Sequence, residues 1–95
     1  MEALYAKASP YTLEEMRGKL IRYIAEVSNI APENINRGCS LRKDLLLDSL
    51  DETEFIMWCE KTFELAITDE ESIHIRTIGD VLDVIEPKKK WKGLK

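Results

Sequence analysis

Leu45-Leu46-Leu47-Asp48-Ser49-Leu50-Asp51-Glu52-Thr53-Glu54-Phe55-Ile56-Met57 runs three leucines into an Asp-Ser-Leu step and then into an acidic stretch with helical spacing. Asp48 has the side chain of an N-cap residue, able to accept the backbone N–H groups that the first turn of a helix leaves without partners. With Asp48 capping, the hydroxyl of Ser49 is not needed by the backbone and stands at a helix start, accessible to an enzyme. The spacing predicts a helix from about Ser49 to Phe63. Phe55, Cys59 and Phe63, with Ile56 beside them, form its buried face, while Leu50, Met57 and Glu54 fall on another face. Two apolar residues on a face otherwise made for water are the oddity of this helix.

Outward from this stretch, three capping-box signatures mark further helices. Thr12-x-x-Glu15 opens a helix whose apolar stripe is Leu13, Met16, Leu20, Tyr23, Ile24 and Val27, ending near Ser28-Asn29. Thr68-x-x-Glu71 opens a short third helix that sends Ile73 or Ile75 to the core. Thr77-x-x-Asp80 opens a fourth, with Ile78, Val81, Leu82 and Ile85 at three-four spacing and Pro87 as its expected end. Between the first two helices, residues 30 to 47 form a long connection broken by Pro32, Asn34, Asn36 and Gly38 and pinned to the core by Ile30, Ile35, Leu41 and Leu45. No alternating strand pattern appears. The fold class is all-α: a four-helix bundle with a long loop between helices 1 and 2 and a short third helix. Residues 1–10 read as a flexible N-terminal arm, 11–86 as the domain, and 87–95 as a basic C-terminal tail.

The net charge of −4 is unevenly spread. Five lysines lie in the last eight residues, leaving nine bases against eighteen acids in the first 87. Asp48 to Glu64 alone holds six acids and one base, Lys61. Such a body repels nucleic acid and attracts basic protein patches. No apolar run approaches a bilayer span and the N-terminus lacks a signal-peptide pattern, so a cytoplasmic protein without membrane insertion is expected. Cys39 and Cys59 have no metal or redox spacing and read as reduced thiols, Cys59 in the core. His74 reads as a surface residue, and Trp58 is expected beneath the third helix or at a partner contact. No acid–base pair, metal cluster, phosphate loop or nucleophile elbow is present, so an enzyme is not expected.

At Asp48-Ser49-Leu50 the sequence resembles the acyl carrier protein family. The similarity continues through Asp51, Glu54, Met57, Glu60, Phe63, Ile67, Asp69-Glu70-Glu71, Ile75, Thr77 and Ile85, and upstream through Ile30, Pro32-Glu33, Ile35, Leu41 and Asp44-Leu45. It covers about Thr12 to Ile85. The resemblance implies a bundle of acyl-carrier type and a 4'-phosphopantetheine arm, moved from coenzyme A onto Ser49 by a phosphopantetheinyl transferase. It implies acyl groups held as thioesters on that arm, most often in fatty acid biosynthesis. Leu50, Glu54, Met57 and Glu60 would form a docking face for acyl-transfer and chain-elongation enzymes with basic patches. Phe55, Cys59, Ile67, Ile75 and Val81 resemble positions lining the space where the family shelters acyl chains. A monomer is expected. The alternatives are a specialised carrier for polyketide, lipid-modification or aminoacyl transfer and, in another class, an unmodified helical adaptor using the same acidic face. The chain departs from the family at Leu46, where glycine is usual, and at Arg42, Lys43 and Lys61, which put positive charge on or beside the recognition helix.

Overall fold

A computed structural model describes residues 11–93, with side chains through Lys88. The expected N-terminal arm lies outside the described residues. Four α-helices are present among them: α1 (Leu13–Ser28), α2 (Ser49–Phe63), α3 (Asp69–Ser72) and α4 (Ile78–Gly93), with a short 3-10 turn at Pro32–Asn34 after α1.

Each start is fixed by the reciprocal bonds that the capping boxes predict. The Glu15 amide donates to Thr12 Oγ1 at 3.1 Å while the Thr12 amide donates to Glu15 Oε1 at 2.9 Å. Thr68 and Glu71 repeat the arrangement at α3, and Thr77 and Asp80 at α4. Helices α1 and α2 end on left-handed residues, Asn29 at φ 61° and Glu64 at φ 55°, which turn the chain sharply out of the helix.

The core gathers Met16, Leu20 and Ile24 of α1, Phe55, Cys59 and Phe63 of α2, and Ile78, Val81, Leu82 and Ile85 of α4. Each fully buried Leu, Ile, Phe or Met of this set is worth roughly 1.5–3 kcal/mol relative to exposure. An aromatic cluster joins α1 to α2: Tyr23 stacks on Trp58 with centroids 4.2 Å apart, and Trp58 meets Phe63 edge to face at 5.5 Å. Trp58 thus packs on α1 rather than beneath α3. Val27, expected on the core stripe, is 45% exposed. It lies in the last turn of α1, and the chain leaves that helix through the left-handed Asn29 two residues later.

The long connection is held by backbone bonds as well as by its apolar pins. Ile35, Leu41, Leu45 and Leu47 are buried and Ile30 is partly so. The Leu41 amide donates to the Arg76 carbonyl at 2.9 Å, the Ile78 amide to Cys39 at 3.1 Å and the Gly79 amide to Arg37 at 2.9 Å, which ties the loop to the start of α4. Glycine at position 79 permits this approach, since a Cβ there would sit 3.1 Å from the Arg37 carbonyl oxygen. Asp44 accepts the Ser40 amide at 2.7 Å and closes a turn just before the leucines.

Pro87 does not end the last helix, which continues to Gly93. Proline removes one backbone donor and crowds the preceding turn. Immediately after it, Lys88 Nζ bonds Glu71 Oε2 at 3.0 Å and fastens the continuing helix to α3.

Candidate functional site

Ser49 is the first residue of α2 and its side chain is exposed. Asp48 is the N-cap, in extended conformation at φ −94° and ψ −175°. Its Oδ1 accepts the Asp51 amide at 2.8 Å, and Asp51 Oδ2 accepts the Asp48 amide at 3.2 Å. The carboxylates of Asp48 and Asp51 therefore do the capping, and Glu52 adds a further acid in the first turn, where negative charge is favourable. Among the described residues no backbone group bonds the Ser49 hydroxyl. Its partner is Arg42, whose Nη2 donates to Ser49 Oγ at 3.2 Å.

Arg42 reaches the serine from the loop. Its guanidinium is held on Glu52, Nε to Oε2 at 2.9 Å and Nη2 to Oε1 at 3.2 Å. The bond to Glu52, with its charge, raises the arginine's pKa. This contact joins residues ten positions apart and has no periodic signature; the sequence singles out Arg42 only as an unexpected charge.

Three leucines lead into the site. Leu45 and Leu47 are buried, while Leu46 between them is 78% exposed and left-handed at φ 59°. The Leu47 amide donates to the Leu41 carbonyl at 2.8 Å and draws the chain inward just before the cap. Leu46 thus occupies the conformation that glycine takes without steric cost.

Along α2 past Ser49, Leu50 (66% exposed) and Met57 (59% exposed) stand in water, and Glu54 is exposed near them. Glu60 is half-buried, and one of its oxygens accepts the Ile67 amide at 2.9 Å, so part of that carboxylate serves the α2–α3 link. Glu54, Met57, Trp58, Glu60 and Lys61 line a shallow depression of about 550 Å³. Between α2 and α3 a second cleft, about 340 Å³, is lined by the apolar Ile56, Met57 and Ile67 and by Glu52, Glu60 and Asp69. Of the residues assigned by resemblance to an acyl shelter, Ile67 lines this cleft and Ile75 the neighbouring groove, while Phe55, Cys59 and Val81 lie in the core beneath. Burial pushes the Cys59 thiol far up in pKa, with Glu60 adding to the effect.

The donor set does not suit a metal: among the described residues no cluster of three or more His, Cys, Asp or Glu is placed to hold one. Nor is any described helix long and apolar enough to cross a membrane. What the geometry offers is an exposed alcohol at a rigid helix start, spared by the cap and flanked by acids and apolar side chains. That arrangement fits covalent attachment of a phosphopantetheine group.

The comparisons agree with this reading. Residues 18–85 match the family described as "Phosphopantetheine attachment site". The acyl carrier protein of Porphyromonas gingivalis is 35% identical over 78 residues, covering 82% of this chain and all of that protein. The acyl carrier protein of Wolinella succinogenes is 39% identical over 66 residues, covering 70% of this chain and 87% of that protein. The solved acyl carrier protein from Enterococcus faecalis superposes with a TM-score of 0.75 at 28% identity, over 82% of this chain and 99% of that one. The shared helical architecture and the match over most of both lengths lead to one conclusion: the chain belongs to the acyl carrier protein family, whose phosphopantetheine attachment domain it carries.

Proposed function

We propose that Ser49 is the attachment residue and that the protein carries acyl intermediates, most often those of fatty acid biosynthesis, between cytoplasmic enzymes. The single observation that carries this reading is the cap: Asp48 and Asp51 satisfy each other's amides and leave an exposed serine oxygen one residue into the helix. In the loading step the Ser49 oxygen bonds to the phosphorus nearest the pantetheine in coenzyme A. The pyrophosphate P–O bond breaks, 3',5'-adenosine bisphosphate leaves, and the serine proton passes to a base of the transferase. When bound, the group supplies a terminal thiol, whose thioesters activate an acyl carbonyl yet persist in neutral water. The protein's own part is to hold the root of the arm at a fixed helix start and to present one face to successive enzymes.

That face is formed by Leu50, Glu54 and Met57, with Glu60 at its edge. Acids steer a basic partner into encounter, and the apolar pair supplies area to bury once contact is made. Methionine suits a surface that must fit several partners. Ile67 and Ile75, with Phe55, Cys59 and Val81 behind them, would shelter a short acyl chain if the α2–α3 cleft opened inward. Lys61 in the docking depression favours a second reading, a specialised carrier with dedicated partners, because it places positive charge where a basic patch would dock.

Intact mass after incubation with coenzyme A and a broad-specificity transferase tests the proposal. Wild type should gain one phosphopantetheinyl group and Ser49→Ala none. A wild type that stays unmodified overturns it and leaves the unmodified adaptor; a Ser49→Ala protein that gains the mass overturns Ser49 as the attachment residue.

A further inference from the structure

We propose that Arg42 is the chain's own clamp for the phosphodiester that joins the arm to Ser49; this rests on Ser49 being the attachment residue. Arg42 Nη2 already lies 3.2 Å from Ser49 Oγ, the atom that becomes the ester oxygen. A phosphorus bonded to that oxygen brings two further oxygens, sharing one negative charge, to the same guanidinium. Arginine presents five N–H donors in a planar fork suited to phosphate oxygens. Glu52 takes bonds from Nε and Nη2, which sets the plane of the fork beside the first turn of α2 while the Nη1 hydrogens are not among its donors to Glu52.

The backbone that carries Arg42 is anchored, while its side chain is 61% exposed. Its neighbour Leu41 is buried, donates its amide to Arg76 and accepts the amide of Leu47. Arg42 also lines a groove of about 520 Å³, where Lys43 and Arg76 join it around Ile73 and Ile75, with Glu52 the one acid among the lining residues. Ile73 is 65% exposed there. Three bases against one acid give the groove a positive lining, and the Arg42 bond to Ser49 links it to the attachment residue. Glu52 then acts as a positioning residue: it holds the fork in place before loading. The rival account is an exposed ion pair that only ties the loop to α2, in which case the phosphate is indifferent to Arg42.

The test uses the full chain as wild type, Arg42→Ala, Arg42→Lys and Glu52→Gln. Each is loaded by the transferase, checked by intact mass, and checked for an unchanged melting transition by circular dichroism. The readouts are the ³¹P resonance of the loaded protein and the Arg42 Nε–Hε cross-peak before and after loading. A ³¹P signal shifted and broadened in wild type and Glu52→Gln relative to Arg42→Ala, with Arg42→Lys between, supports the clamp, as does a cross-peak that moves on loading. Superposable ³¹P signals in wild type and Arg42→Ala, with a stationary cross-peak, overturn it while leaving the attachment residue standing. If no variant gains mass, the attachment reading falls and the clamp with it.

Discussion

Asp48 and Asp51 cap one helix end reciprocally, each carboxylate accepting the other's backbone amide at 2.8 and 3.2 Å. Two like charges three residues apart are tolerated here because both face backbone donors and the positive end of α2. The role proposed for Ser49 rests on this pairing, which satisfies both amides without using the serine hydroxyl.

Replacing Asp48 with alanine should therefore affect two measurements. Loss of an N-cap side chain costs about 1 kcal/mol, and in a domain of this size each kcal/mol lowers the melting temperature by roughly 4–8 °C. Transferase loading of Ser49 should slow as well, because the first turn frays. Asp48→Asn keeps a capping oxygen and should melt close to wild type. Thermal denaturation and a loading time course check both outcomes; an Asp48→Ala protein that melts like wild type would show that the cap does not hold the helix start.

Leu46 should be a position where glycine stabilises the protein. A non-glycine residue in the left-handed region costs about 1–2 kcal/mol, and glycine gives back about 0.5–1 of that in added unfolded-chain freedom. With the side chain 78% exposed there is little packing to lose. Leu46→Gly should raise the urea midpoint by an amount equivalent to about 0.5–1 kcal/mol. A lowered midpoint would mean that the exposed leucine makes contacts that stabilise the fold.

What the sequence reveals of this fold is what local chemistry decides. The boxes at Thr12, Thr68 and Thr77 join residues three apart and can be read directly, and so can the Phe55, Cys59, Phe63 stripe. The role of Asp48 is legible for the same reason. The Tyr23–Trp58 stack and the reach of Arg42 to Ser49 and Glu52 are not, because they join elements through the tertiary fold and leave no period in the chain. The helix beyond Pro87 belongs with them: a local rule ends it, and a contact from Lys88 to α3 accompanies its continuation. The exposure of Val27 has the same lesson, since a stripe fixes which side of a helix turns inward but not how far along the helix the core extends.

Acid should loosen α3 and the start of α4 through two carboxylates. The Arg76 amide, then the Thr77 amide and hydroxyl, hold Asp80 below its ordinary 3.8, against an opposing effect of burial. The Thr68 amide, then Lys88, hold Glu71 below its ordinary 4.5. A carboxyl group whose pKa is lower in the folded state stabilises fully above its unfolded value. That contribution fades as pH falls through about 4.5 and goes on fading below 3.8 toward the folded-state values. Urea midpoints measured from about pH 6 to about pH 3 should fall in wild type and fall less steeply in Glu71→Gln and Asp80→Asn, both already weaker at neutral pH. Parallel curves for all three proteins would remove these groups as the cause.

Trp58 gives the last prediction, because its stack on Tyr23 can be read by two independent signals. The indole centroid lies 4.2 Å from that of the Tyr23 ring, the two planes nearly parallel, and it closes off part of the phenol's surroundings. Burial is the first cause that pushes the Tyr23 phenol above its ordinary 10.0, and the carboxylates of Glu54 and Asp51 add to it by repelling the phenolate. Truncation to alanine removes a half-buried aromatic and its pairings, at a cost of about 2 kcal/mol. It also hydrates Tyr23, so the phenol should ionise at lower pH than in wild type, shifting toward its ordinary value but not reaching it while the acids remain. Trp58→Phe should recover most of the stability and most of the upward shift. Thermal melting gives the first quantity and an ultraviolet titration of tyrosinate the second. A Trp58→Ala protein that loses stability while its tyrosine titration stays in place would show that the stack holds α1 to α2 without shielding the phenol.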